Sequence, residues 1–197
     1  MPHSDPSIVE HLTRAVRMML DQTAERPFTV LDCGVGVGYV GRALRTSEYS
    51  TPMTIKGIEI FAPYVEDGPV REKLEVSSGV FHHLYDEVII GDFVPYLEEA
   101  EPRSVHAVIF GNSLEYIAPE QAGFTLTKAR RVAKCGVVVT APIVVRPQAA
   151  VLGDNRHEQR LHWERGEWER RGGIFLGGNR FLGGNSAVGC FLFPPRV

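Results

Sequence analysis

Asp32 stands directly ahead of a run in which glycine recurs at every second position, Asp32-Cys33-Gly34-Val35-Gly36-Val37-Gly38. Glycine tolerates positive φ and lets backbone approach a ligand closely, and a helix starting behind such a loop aims free N–H groups at the same spot. The chemistry this suits is the holding of a nucleotide-like molecule, with a strand-end carboxylate as acceptor. Glu59, at the end of the next apolar run, is placed to accept hydrogen bonds from ribose hydroxyls, as an acid often does in doubly wound folds.

The elements that must position these groups follow in order. Ser7-Ile8-Val9-Glu10 has the form of a capping box, and Ile8, Val9, Leu12, Val16, Met19 and Leu20 then recur at helical spacing, which predicts a helix to about Glu25. Phe28 to Leu31 reads as a strand entering the glycine cluster, and Tyr39 to Arg45 as the helix behind it. Thr54 to Ile60, Glu87 to Ile90, Val105 to Phe110 and Gly136 to Ala141 read as further strands, with helices over Val70 to Val76 and from Pro119 to Lys134. A Trp-containing helix ending near Gly172 precedes two strands, Ile174 to Leu176 and Ala187 to Phe193, which predict an antiparallel hairpin with the glycine-rich tip Gly177 to Ser186. Strands rich in Val and Ile alternating with helices make the fold class α/β, a Rossmann-like doubly wound, mostly parallel sheet covered on both faces.

Gly36-Val37-Gly38-Tyr39-Val40-Gly41 is also a literal GxGxxG, with Glu59 following Gly41 by 18 residues, so spacing alone permits a nicotinamide dinucleotide. That register puts Asp32 inside the strand, where a carboxylate is poorly suited to burial unless paired. No Tyr-x-x-x-Lys pair occurs, and no second catalytic region follows.

Several segments, in order, resemble the class I S-adenosylmethionine-dependent methyltransferases. Residues 30 to 38 are similar to the first motif of that family, Gly57-Ile58-Glu59-Ile60 to the strand ending in the ribose acid, and Gly91-Asp92-Phe93 to the Gly-Asp step that meets the adenine amino group. Phe110-Gly111-Asn112-Ser113-Leu114-Glu115-Tyr116-Ile117 is similar to the fourth-strand motif, with Asn112 and Tyr116 where the family often has Asp and His. The resemblance implies a seven-stranded sheet with a C-terminal antiparallel hairpin and S-adenosyl-L-methionine as cofactor. It implies that Asp32, Gly34, Gly36 and Gly38 hold the methionine end, Glu59 the ribose and Asp92 the adenine amino group. Ile60 and Phe93 would sandwich the adenine, with Asn112 beside the site.

The match covers residues 28 to 145 well, so the expected organisation is one domain over 1–197, with an N-terminal helix (1–25), a donor-binding core (28–145) and an acceptor-side segment and hairpin (146–197). Methyl transfer demands alignment and, for an oxygen or nitrogen acceptor, a base. His157 and His162 are the expected candidates, since the segment after the fifth strand passes over the acceptor pocket in the resembling enzymes; Glu115 is a third. Tyr116, Trp163, Arg180 and Phe181 are expected to meet the acceptor, Arg180 through its planar fork. His82-His83 and His106 are weaker candidates. No convergent set of metal ligands is recognisable, so no metal is expected.

The remaining functions are bounded by composition. With 21 Lys and Arg against 24 Asp and Glu, the formal charge of −3 offers no field to gather nucleic acid. The fourth-strand segment lacks the Asn/Asp-Pro-Pro-Tyr sequence of amino-methylating DNA enzymes. Three scattered cysteines, Cys33, Cys135 and Cys190, sit in apolar runs and read as reduced core residues of a cytoplasmic protein; no export signal or membrane span is expected. The reading is therefore a methyltransferase acting on a small-molecule or sugar-like acceptor at oxygen or nitrogen, with homo-oligomerisation left open. An NAD(P)-dependent oxidoreductase and a catalytically silent ligand- or partner-binding relative are the alternatives.

Overall fold

A computed structural model describes residues 6–47, 52–65, 83–143, 158–180 and 187–196. One sheet organises them, made of β1 (Phe28–Cys33), β2 (Met53–Glu59), β3 (Glu87–Ile90), β4 (Val105–Gly111), β5 (Ala133–Pro142), β6 (Ile174–Arg180) and β7 (Ala187–Phe193). The strand order is β3-β2-β1-β4-β5-β7-β6. The first five strands pair in parallel, and β7 runs antiparallel to both β5 and β6. β6 therefore points the same way as β1 to β5.

Among the described residues, five α-helices cover the sheet: α1 (Pro6–Leu20), α2 (Tyr39–Thr46), α3 (Phe93–Glu99), α4 (Pro119–Val132) and α5 (Arg165–Arg170). The pleat of β1 divides its side chains between two cores. Phe28 and Val30 join Leu12, Val16 and Met19 of α1 and Val40 and Leu44 of α2, whereas Leu31 and Cys33 join Leu97 of α3, Leu126 and Ala129 of α4 and Trp168 of α5. Burial on both faces is why β4 and β5 are almost continuously apolar.

The structure departs from the sequence expectation in four places. First, α1 stops at Leu20 instead of Glu25: Thr23 Oγ1 accepts the Glu25 N–H at 3.1 Å, and Arg26 precedes Pro27, which disfavours helix. Second, α3 was not expected, because Pro95 interrupts a short apolar run; proline is harmless in a first turn, and the Asp92 side chain caps the helix by accepting the Val94 N–H at 2.8 Å. Third, β5 begins at Ala133, directly after α4, since Ala133 already pairs with Val105. Fourth, β6 continues through Gly177 and Gly178 to Arg180, laddered with Cys190, Gly189 and Ala187, so the expected tip shrinks to residues 181–186, outside the described residues.

These glycines read as loop but serve close packing: a Cβ at Gly178 would lie 2.6 Å from Val188 O. The expected helix Val70 to Val76 also lies outside the described residues. No helix of the described residues is long and apolar enough to cross a membrane.

Trp168 joins α5 to the sheet. Its ring stacks on Phe191 at 5.6 Å and its Nε1–H donates to Trp163 O at 3.0 Å. Trp168→Ala is expected to lower stability by about 3–5 kcal/mol, because it opens a cavity and leaves a carbonyl unpaired. Urea denaturation monitored by circular dichroism checks this; a loss below 1 kcal/mol would show that α5 does not anchor the hairpin face.

Candidate active site

Parallel strands deliver their C-terminal ends to one edge, and in open α/β sheets that edge binds ligands. At this edge lie the loop after β1, Glu59 at the end of β2, Gly91-Asp92 after β3 and Asn112 after β4. The loop is clasped to β2 by its backbone: Gly34 N–H and Val35 N–H both donate to Ile58 O, at 2.8 and 3.2 Å. Gly34, Gly36 and Gly38 all take positive φ, 89°, 54° and 83°, which demands glycine at each. Glu59 is buried; its Oε2 accepts the Gly36 N–H at 2.7 Å and its Oε1 the Phe61 N–H at 2.8 Å. Charge-assisted bonds of this kind fix the carboxylate against the glycine loop.

Asp32 is fully buried beside it. Oδ2 accepts the Tyr85 hydroxyl at 2.6 Å, whereas Oδ1 has no hydrogen-bond partner. Burial, with the charge of Glu59 adding to it, pushes the Asp32 carboxyl up to about 8 despite the tyrosine bond. Asp92 is exposed and caps α3 through Oδ1. Ile60 is 39% exposed at the same edge, while Phe93 is buried with its ring edge-on to Phe110 at 5.5 Å.

The turn after β4 adds a second group. Asn112 takes φ 56°, its N–H donates to Thr140 O at 2.9 Å, and its Oδ1 accepts the Thr140 hydroxyl at 2.7 Å. Ser113 Oγ donates to Cys33 O, which ties this turn to the end of β1. Glu115 is buried, with Oε2 lacking a partner, and burial pushes its carboxyl up to about 8. The Glu115 carbonyl accepts the N–H groups of Arg160 and Leu161 at 2.9 and 3.0 Å, so the segment before α5 is strapped to the end of β4.

No protein-family model matches the sequence, and no curated protein matches it significantly. Solved structures do. A 1,6-didemethyltoxoflavin-N1-methyltransferase of Burkholderia thailandensis, bound to 1,6-didemethyltoxoflavin and S-adenosylhomocysteine, superposes with a TM-score of 0.55 at 12% identity over 93% of this chain and 78% of that one. Magnesium protoporphyrin IX methyltransferase of Synechocystis PCC 6803, with bound S-adenosylmethionine, gives a TM-score of 0.56 at 13% identity over 94% and 80%. An O-methyltransferase family protein of Burkholderia thailandensis gives 0.53 at 14% identity over 95% and 59%.

The fold is that of the class I S-adenosylmethionine-dependent methyltransferases. The antiparallel β7 inserted between β5 and β6 marks this methyltransferase fold against the dinucleotide-binding order 3-2-1-4-5-6.

Of the residues expected from the sequence, Asp32, the three loop glycines, Glu59, Ile60, Asp92 and Asn112 come together at the C-terminal edge of the methyltransferase sheet. Phe93 stands at that edge but is packed into the core. Glu115 and Tyr116 follow β4 at the edge, and β6 ends there at Arg180, whereas His157 and Phe181 lie outside the described residues. His162 is exposed. Trp163 is buried, its ring edge-on to Trp168 at 4.8 Å and covered by the Arg171 guanidinium at 3.8 Å.

His83 is exposed, and His82 lies outside the described residues. His106 stacks on Phe28 at 4.9 Å near the opposite, N-terminal edge. Sequence reasoning missed Tyr85 and Ser113, both of which bond to residues at the end of β1. Nothing in the local pattern singles them out, since their partners lie 53 and 80 residues away.

The raised Glu115 carboxyl makes a stability prediction. A carboxyl whose pKa is higher folded than unfolded contributes stability below its unfolded value, about 4.3, and loses it as pH rises toward about 8. Glu115→Gln is expected to flatten this decline between pH 5 and 8, where the group can cost up to about 1.4 kcal/mol per pH unit. Denaturant midpoints measured across that range check it; parallel profiles for variant and parent would show that Glu115 ionises freely.

Proposed function

We propose that this chain is a methyltransferase that binds S-adenosylmethionine at the C-terminal edge of β1 to β4 and methylates oxygen or nitrogen of a small-molecule or sugar-like acceptor. The observation that carries the reading is the pair of buried carboxylates, Asp32 and Glu59, at the ends of adjacent strands, with the glycine-loop N–H of Gly36 bonded to Glu59. The unpartnered Asp32 Oδ1 fits a donor group brought by the ligand, and the glycines keep side chains out of the loop. On this reading Asp32, Gly34, Gly36 and Gly38 hold the amino-acid end, Glu59 the ribose, Asp92 the adenine amino group, Ile60 and Phe93 the adenine rings, and Asn112 the wall beside them. When bound, S-adenosylmethionine supplies a methyl group already activated on a sulfonium, which needs no metal.

The chain's own task is then alignment, dehydration and removal of the acceptor proton. Glu115, His162 and His157 are the residues we assign to that proton. Arg180, where β6 ends, and Phe181, which follows it in sequence outside the described residues, are assigned with Tyr116 to the acceptor. Support comes from the strap between Glu115 and residues 160–161 and from the direction of β6, which runs toward the donor edge. Trp163, packed on Trp168, is assigned to the support of this pocket. We place the protein in the cytoplasm as one domain, in keeping with its buried free thiols.

S-Adenosylhomocysteine at about 100 times its dissociation constant is expected to stabilise the protein by about 2.7 kcal/mol. Glu59→Ala should weaken its binding more than Asp92→Ala, because Glu59 is buried and its loss also releases the Gly36 and Phe61 N–H groups that it holds beside the glycine loop, whereas Asp92 is exposed and holds only its own helix cap. Calorimetric titration with S-adenosylhomocysteine and with NADH separates this reading from the dinucleotide one: binding of NADH alone would overturn it. Turnover across an acceptor panel separates an enzyme from a silent relative. There Arg180→Ala and His162→Ala should change KM or kcat for the acceptor and leave S-adenosylhomocysteine affinity intact.

A further inference from the structure

Tyr85 is the side chain that governs how Asp32 is presented. It sits just ahead of β3, buried, and its hydroxyl donates to Asp32 Oδ2 at 2.6 Å while accepting the Gly41 N–H of α2 at 3.0 Å. Two glycines make room for its ring. A Cβ at Gly41 would lie 2.6 Å from Tyr85 Cε2, and one at Gly57 of β2 would lie 3.2 Å from Cδ1. With Oδ2 fixed in this way, Asp32 Oδ1 is left buried without a partner at the end of β1, where the glycine loop begins. A buried acceptor in that state is costly, and the loss is recovered when a ligand brings a donor.

We propose, resting on the methyl-donor reading above, that Tyr85 is a positioning residue of the donor site, holding Asp32 so that Oδ1 receives the cationic amino group of the ligand, and that binding thereby expels a proton from Asp32. The groups that act on this carboxyl are Tyr85 ahead of β3 and Glu59 from β2; the Cys33 thiol, next along β1, turns to the opposite core, and α2 reaches the carboxyl through the Gly41 N–H that Tyr85 accepts. Burial and the charge of Glu59 raise the Asp32 carboxyl to about 8, and the Tyr85 hydrogen bond opposes them. The ligand-free protein therefore carries a proton on Asp32 at pH 7. A cation placed against Oδ1 favours the ionised form. Ligand affinity accordingly rises with pH through neutrality and levels off above about 8, and loss of the Tyr85 hydroxyl moves that rise to higher pH.

Isothermal titration with S-adenosylhomocysteine, whose amino group is cationic, tests this between pH 6 and 8 in buffers of different ionisation enthalpy. The parent is expected to release nearly one proton at pH 7 and to gain up to about tenfold in affinity per pH unit. Tyr85→Phe keeps the ring and is expected to bind about tenfold more weakly at pH 7, with its pH profile displaced upward. Asp32→Asn is expected to release no proton and to show a flat profile, and adding Tyr85→Phe to it should change affinity less than threefold. A Tyr85→Phe protein with lowered Tm but unchanged affinity, proton count and profile overturns the positioning role and leaves the donor reading standing. If the parent protein does not bind S-adenosylhomocysteine, the donor reading falls and takes this inference with it. Should Tyr85→Phe fail to fold, a parent that releases no proton, or an Asp32→Asn protein that keeps the parent's pH dependence, overturns the proposal.

Discussion

One carbonyl, Ile58 O, accepts from both Gly34 and Val35, and this clasp fixes the loop after β1 to the end of β2. It is possible because β1 and β2 are parallel and in register, Cys33 beside Ile58, so both strands end at the same height. Two further features of this edge follow from that alignment. It brings the Gly36 N–H over the Glu59 carboxylate, and it sets Asp32, one residue earlier on β1, beside Gly57, whose missing side chain leaves space for Val35 and Tyr85. A one-residue slip of β2 would turn Glu59 to the other face of the sheet and dissolve the site.

That alignment carries a cost, because it buries carboxyl groups that water would otherwise stabilise. Asp32 and Glu115 meet the cost by holding protons near neutrality, and Glu59 by accepting two backbone N–H bonds. The unpartnered oxygens of Asp32 and Glu115, buried at the edge where open α/β sheets bind ligands, make both residues candidates for a functional site.

Legibility in the sequence tracks the range of the interaction responsible. β3 and β7 have the boundaries their residues suggest, and β1, β2 and β4 differ by one or two, because hydrophobic runs bounded by turn residues are local signals. The glycine loop was legible for the same reason: positive φ is a property of single residues. β6 was foreshortened because Gly177 and Gly178 read as loop when seen alone, whereas their role depends on His11 of α1 and Val188 of β7, which lie far away in sequence. α3 escaped because its proline looked like a breaker until the Asp92 cap made it a first turn. Tyr85 escaped most completely, since a tyrosine ahead of a strand is ordinary and only the two glycines from α2 and β2 reveal what its ring is fitted to.

The same reasoning explains why the proposed donor side is defined more sharply than the proposed acceptor side. The residues proposed for the donor hang on four parallel strand ends whose mutual register is fixed by backbone bonds, so residue identity at each end translates into position. The residues proposed for the acceptor hang on one strap, residues 158–164, held to the Glu115 carbonyl after β4 by two bonds from Arg160 and Leu161, and on the end of a β6–β7 pair that reaches the parallel sheet through β7. The bonds that hold Asp32 and Glu59, to Tyr85 and to the N–H groups of Gly36 and Phe61, involve neither attachment. On the proposed function, different acceptors could therefore be taken up without altering the bonds that hold Asp32 and Glu59 in place.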